Sequence, residues 1–125
     1  MRLLLDTSIA LWVAADSPRL SGAARREIES AEAVFVSSML LWEMVIKAGL
    51  GKLEVDFDRL LARMAAAGIR DLAVTWRHAM TVRTLADHHR DPFDRMLIAQ
   101  AISEPLRLIT NDARLRAYSN LVMLV

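Results

Sequence analysis

The 125-residue sequence predicts an α/β fold, a mostly parallel five-stranded sheet with helices on both faces. Three observations predict it. Short strand-like runs alternate with stretches of helical spacing along the whole chain. The runs at 2–5 and 33–36 are apolar on successive residues, as strands buried on both faces are. Apolar residues make up 54% and charged residues 25%, with only four glycines and three prolines, which fits a globular chain and excludes disorder.

Each element has a local reason. Residues 2–5 form a strand that ends at Asp6. Thr7 or Ser8 then caps a helix through Ile9, Leu11, Trp12 and Ala15, and Pro18 stops it. Ser21 opens a second helix to about Ala31, and residues 33–36 (AVFV) form the second strand. Ser37 or Ser38 caps a long helix to Leu50, closed by Gly49 and Gly51. Phe57, Leu60, Leu61 and Met64 give helical spacing that stops at Gly68. The third strand is expected at 72–74 and a helix from Trp76 to about His88. Pro92 begins the next helix, to Ile102, ahead of a strand at 106–110, a short helix at 113–118 and a last strand at 121–125. No repeat, low-complexity tract or linker interrupts the pattern, so one domain over 1–125 is expected.

Charge and composition restrict the function. The formal net charge is +1, from 16 Lys and Arg against 15 Asp and Glu, so no basic excess announces a nucleic-acid binder. With no cysteine, disulfides, thiolate metal sites and cysteine nucleophiles are excluded, which suits a cytoplasmic protein. The start MRLLLDTSIALWVAADSP imitates a signal peptide, but Asp6 splits its apolar stretch. No apolar run reaches the roughly 18 residues of a membrane span, so no membrane partner is expected.

Four acids stand where function collects. Asp6 and Asp112 each follow a strand, and ligands of open α/β sheets bind at the carboxyl ends of strands. Glu43 lies in MLLWEMVIKAGL, a helix apolar almost all round, where a carboxylate needs a partner. Asp94 projects from the first turn of a heavily apolar helix whose N-cap is Asp91. Each has a structural alternative: Asp6 and Asp112 as helix caps, Glu43 paired with Lys47 at i+4, Asp94 opposing the helix dipole. In a parallel sheet all four converge on one rim. Their charges then need a cation, and all-oxygen ligation suits Mg²⁺ or Mn²⁺.

The stretches LLLDTSIALW, VSSMLLWEMVIKAGLGKLEV, HHRDPFDRMLIAQA and LITNDARL resemble, in order, those of the PIN-domain ribonucleases, and specifically the VapC-like toxins of toxin–antitoxin pairs. The D-P-F-D-R-x-L-I-A-Q and W-E-x-x-x-K-x-x-x-G-K-L blocks are the specific ones, whereas Leu41 stands where a small residue is expected before Trp42. The resemblance implies a PIN-like three-layer fold, with Asp6, Glu43, Asp94 and Asp112 as catalytic metal acids. Thr7, Ser8 and Thr110 match the small polar residues around them, and Asp91 supports the helix start. It implies Mg²⁺- or Mn²⁺-dependent endonucleolytic cleavage of RNA by activated water, a cognate antitoxin partner and a homodimer. Arg95, Lys47, Lys52 and Arg90, with His88 and His89, are candidates for RNA phosphates.

Rivals are weaker. A haloacid dehalogenase-type phosphatase needs a second Asp where Ser8 stands, and a receiver domain needs an acceptor Asp where Ser37 and Thr75 stand. The serious alternative is a non-catalytic PIN-fold module that binds RNA or protein. The helices around Leu60, Met64, Met80 and Val82 are candidates for the antitoxin or homodimer face, or for core packing.

Overall fold

The computed structural model describes residues 1–88 and 90–125. The elements, in chain order, are β1 (Arg2–Leu5), α1 (Thr7–Ala14), α2 (Gly22–Ser30), β2 (Ala33–Ser37), α3 (Ser38–Gly49) and α4 (Phe57–Ala66). They continue as β3 (Ile69–Leu72), α5 (Trp76–Thr81), α6 (Pro92–Ser103), β4 (Arg107–Thr110) and β5 (Val122–Leu124). Short 3₁₀ turns run over Val82–Thr84 and Ala113–Tyr118.

The five strands make one sheet in the order β3-β2-β1-β4-β5, and every pairing is parallel. β1 is central: Leu3 lies opposite Val34 on one side and Arg107 on the other. Successive strand residues point to opposite faces, yet Leu3, Leu4 and Leu5 are all fully buried. Both faces are therefore covered, as parallel pairing through helical crossovers requires. α1 packs with α4, while α3 and α5 pack with α6. Leu97, Ile98 and Ala101 of α6 meet Leu108 and Ile109 of β4 in the same apolar core. Leu41 is half-buried against that core, so the helix accepts it.

The caps explain most boundaries. Ser37 Oγ accepts from Met39 N at 3.2 Å, Ser21 Oγ from Ala24 N at 3.1 Å, and Asp91 Oδ1 from Phe93 N at 2.9 Å, with Pro92 at the start of α6. At α1 the N-cap is Asp6, the structural alternative weighed for that acid, rather than Thr7 or Ser8. The strand ends one residue earlier than a hydroxyl cap would need, and the carboxylate takes the role.

Two elements differ in extent. The third strand is Ile69–Leu72, not 72–74. Gly68 takes φ of 78°, which turns the chain straight from α4 into the sheet. Arg70 and Asp71 are tolerated there because β3 is an edge strand with exposed positions, and this polarity hid it. The helix from Trp76 ends at Thr81 rather than near His88. Thr81 Oγ1 donates back to Arg77 O at 2.8 Å and Thr84 Oγ1 to Thr81 O at 2.7 Å, local bonds that tighten the chain into a 3₁₀ turn. The segment 113–118 is likewise a 3₁₀ turn. Leu60 and Met64 face the core at 5% and 7% exposure, so neither offers a docking face; Met80 is exposed. Among the described residues no helix is long and apolar enough to cross a membrane.

Burial sets the mutational scale. Leu108→Ala, at a fully buried position beside β1, is expected to cost about 2–5 kcal/mol in urea unfolding. Leu50→Ala, at a mostly exposed position, should stay within about 0.5 kcal/mol. Equal losses for both would contradict the assigned core.

Candidate active site

β1 and β4 run side by side in the same direction, so Asp6 and Asp112 leave the sheet at the same rim. One buried hydroxyl ties them together. Thr110 Oγ1 donates to Asp6 Oδ2 at 2.5 Å and accepts from Asp112 N at 3.0 Å. Thr110 is fully buried at the end of β4, so this hydroxyl is held by the core itself. The other oxygen of Asp6 accepts from Thr7 N at 2.7 Å, and Asp6 N continues the ladder by donating to Ile109 O at 2.9 Å. Asp6 is thereby fixed at both carboxylate oxygens. Thr7 and Ser8 are half-buried beside it.

Glu43 comes from the second turn of α3, the helix that follows β2 to the same rim. It is buried, at 8% exposure. Lys47 Nζ stands 3.4 Å from its Oε2, the i,i+4 partner expected from sequence, on a side chain that is half exposed. The lysine does not compensate fully. Burial pushes the Glu43 carboxyl above its usual range, Lys47 pulls it back, and the negative charges of Asp91 and Asp6 push it up further. Glu43, Asp6 and Asp91 thus share one electrostatic field.

Asp91 is exposed and caps α6, its Oδ1 accepting from Phe93 N and, at 3.2 Å, from Asp94 N. That second bond fixes the first turn, and with it the half-buried Asp94. Asp112 caps the 3₁₀ turn after β4 and is gripped by Arg114, whose Nε lies 3.0 Å from Oδ1 and whose Nη2 lies 2.7 Å from Oδ2. Asp112, Asp94 and Asp91 all favour the charged form of Arg114, the hydrogen bond to Asp112 most strongly. The charges therefore link the acids as two overlapping sets. Asp6 and Asp91 act on Glu43, while Asp91, Asp94 and Asp112 act on Arg114, with Asp91 common to both. Among the described residues no three acidic or imidazole side chains stand close enough to form a ready-made metal cage.

The candidate phosphate-binding cations lie in different settings. Lys47, Lys52 and Arg90 are exposed. Arg95 Nη1 instead donates to Ala86 O at 3.0 Å and contacts the Tyr118 hydroxyl at 3.5 Å, so it braces the segment before α6. His88 is exposed and packs edge-on against Tyr118, and His89 lies outside the described residues. Arg114, the cation paired with Asp112, was not singled out from sequence. Its signal was the spacing Asp112-Ala113-Arg114 at a strand end, where a capping carboxylate and a cation two residues on share one turn.

Comparison with known proteins gives concordant results. The PIN-domain sequence profile matches residues 3–121. The chain is 32% identical over 118 residues to "Ribonuclease VapC22" of Mycobacterium tuberculosis, covering 93% of this chain and 91% of that protein. The fold is similar to that in VapBC2 from Rickettsia felis bound to a promoter DNA fragment, with a TM-score of 0.70 at 15% identity, covering 100% and 98% of the two chains. It is also similar to that in a toxin–antitoxin complex from Klebsiella pneumoniae, with a TM-score of 0.65 at 20% identity, covering 97% and 95%.

The Glu43 environment makes a pH-dependent prediction. Because its folded-state pKa is raised, the folded protein holds this proton more tightly than the unfolded chain. Stability is then lost as pH rises from the model-peptide value of 4.5 through the raised folded value. In EDTA, Glu43→Gln is expected to melt higher relative to wild type at pH 7 than at pH 4. A variant that loses more stability at pH 7 than at pH 4 would show that the Lys47 pair dominates.

Proposed function

Because the chain belongs to the PIN-domain family, we propose that it is a Mg²⁺- or Mn²⁺-dependent endoribonuclease, the toxin of a toxin–antitoxin pair. One observation of the structure carries the reading. A buried Glu43, raised in pKa despite its lysine, sits in the field of Asp6 and Asp91 at the carboxyl rim of a parallel sheet. Negative charge gathered there, around a Glu43 whose lysine does not offset its burial, favours a cation. The donors are all carboxylates, which is the hard-oxygen chemistry of Mg²⁺ and Mn²⁺ rather than of a soft metal.

Asp6, Glu43, Asp94 and Asp112 would hold the ion. When bound, it supplies an activated water and charge stabilisation at the phosphoryl group. The protein's own residues set the geometry. Thr110 and Thr7 N fix the two oxygens of Asp6, and Asp91 holds the turn that carries Asp94. Lys47 keeps Glu43 accessible as a carboxylate, since its charge opposes the burial that favours protonation. Exposed Lys47, Lys52 and Arg90, with Arg95 at the start of α6, are the RNA-phosphate contacts. A cytoplasmic location is part of this reading, since cellular RNA is the proposed substrate.

The partner protein is a cognate antitoxin, in keeping with the toxin–antitoxin complex whose fold this chain shares. A homodimer is also part of the proposal. It is supported by large apolar side chains left in solvent, with Trp42 60%, Leu50 66% and Trp76 92% exposed.

The alternative, a non-catalytic binding module, draws on one observation: Asp6, Asp91 and Asp112 all have structural work as caps. Asparagine separates the two, because it caps nearly as well as aspartate but binds Mg²⁺ poorly. Asp6→Asn and Asp94→Asn are expected to stay folded and lose Mn²⁺-dependent cleavage of single-stranded RNA, while Asp91→Asn stays folded and active. Full cleavage by Asp6→Asn or Asp94→Asn would refute the metal assignment, and a folded but inactive Asp91→Asn would add that acid to the site.

A further inference from the structure

The grip of Arg114 on Asp112 is hard to reconcile with Asp112 acting as a free ligand. Arg114 Nε reaches Oδ1 at 3.0 Å and Oδ2 at 3.2 Å, and Nη2 reaches Oδ2 at 2.7 Å, so both carboxylate oxygens are taken. The Arg114 side chain is 70% exposed against 24% for Asp112, so the pair lies at the surface with the guanidinium outermost. Arg114 also feels Asp94 and Asp91, which places its charge over the rim as a whole. The bidentate fork matches carboxylate and phosphate equally well, and it stays charged at every accessible pH.

Resting on the reading of the acids as a divalent-cation site, we propose that Arg114 is their exchangeable counter-ion. It clamps Asp112 in the metal-free protein, yields that carboxylate to a divalent cation, and presents its freed guanidinium to an RNA phosphate. Arg114 is thus a competitor for cation binding and a helper for substrate binding. These opposite effects distinguish it from a residue that merely supports the turn. An exposed ion pair is weak, so the clamp is reversible at little cost. The cap survives its removal, because the Asp112 carboxylate accepts from the Arg114 backbone N–H at 3.0 Å, which any residue but proline provides.

The test is Mn²⁺ titration of the purified protein, followed by electron paramagnetic resonance at about 0.15 M salt, where charges beyond roughly 8 Å are screened. Arg114→Ala and Arg114→Gln are compared with Arg116→Ala, which removes an equal charge from the same turn. Both Arg114 variants are expected to bind Mn²⁺ about fivefold more tightly than wild type, the scale set by one exposed ion pair. Their KM for single-stranded RNA should rise, and Arg116→Ala should bind Mn²⁺ like wild type. Unchanged or weaker Mn²⁺ binding in the Arg114 variants overturns the proposal, as does an equal gain in Arg116→Ala or an unchanged KM. Wild-type protein that binds no Mn²⁺ overturns the acid-site reading itself, and this inference with it.

Discussion

Burial of the central strand on both faces is the constraint from which the remaining structure follows. Leu3, Leu4 and Leu5 are fully buried, which is possible only with helices over each side of the sheet. Parallel neighbours on both edges of β1 then make every connection a crossover, and each crossover returns the chain to the same end. The carboxyl ends of the strands share one rim. Asp6 and Asp112 leave from adjacent strands there, and α3 and α6 bring Glu43 and Asp94 from helices packed over the same sheet. Topology alone gathers the negative charge.

Capping and ligation compete as explanations for each acid taken singly, yet the caps seen in the structure do not exclude ligation. Asp6 gives one oxygen to the Thr7 amide and the other to the Thr110 hydroxyl, so its cap fixes it in place without neutralising it. Asp91 spends one oxygen on two amides and so positions the next acid along. A cap fixes a carboxylate by neutral donors, which leaves its charge to act on its neighbours. Cations bear directly on this cluster as well, with Lys47 at Glu43 and Arg114 at Asp112. At Glu43, burial outweighs the lysine.

Much of this was legible in the sequence, for identifiable reasons. β1 and β2 declare themselves because a strand covered on both faces must be apolar at successive positions, and α3 and α6 because the Ser37-Ser38 pair and Asp91-Pro92 mark their starts. The four acids were visible as charges in apolar surroundings. What was hidden depends on tertiary context. β3 is an edge strand whose polar Arg70 and Asp71 mask it, and α5 is cut short by threonine hydroxyls that bond back into the chain. Leu60 and Met64 carry a helical spacing that suits a docking face or a core equally, and packing against α1 decides for the core. Arg114 escaped notice because an exposed arginine is ordinary until its carboxylate partner is known to stand at a strand end.

The proposal that this rim is a cation site built by the fold is read directly by folding stability. Urea unfolding of the metal-free protein is measured with increasing MnCl₂ against NaCl of matched ionic strength. A folded-state site raises stability with the logarithm of free cation, by about 2.7 kcal/mol at a hundredfold excess over Kd. The expected result is a midpoint that climbs steadily with MnCl₂ and stays nearly flat with NaCl. Superimposable curves for the two salts would contradict a built site and leave the acids as helix caps alone.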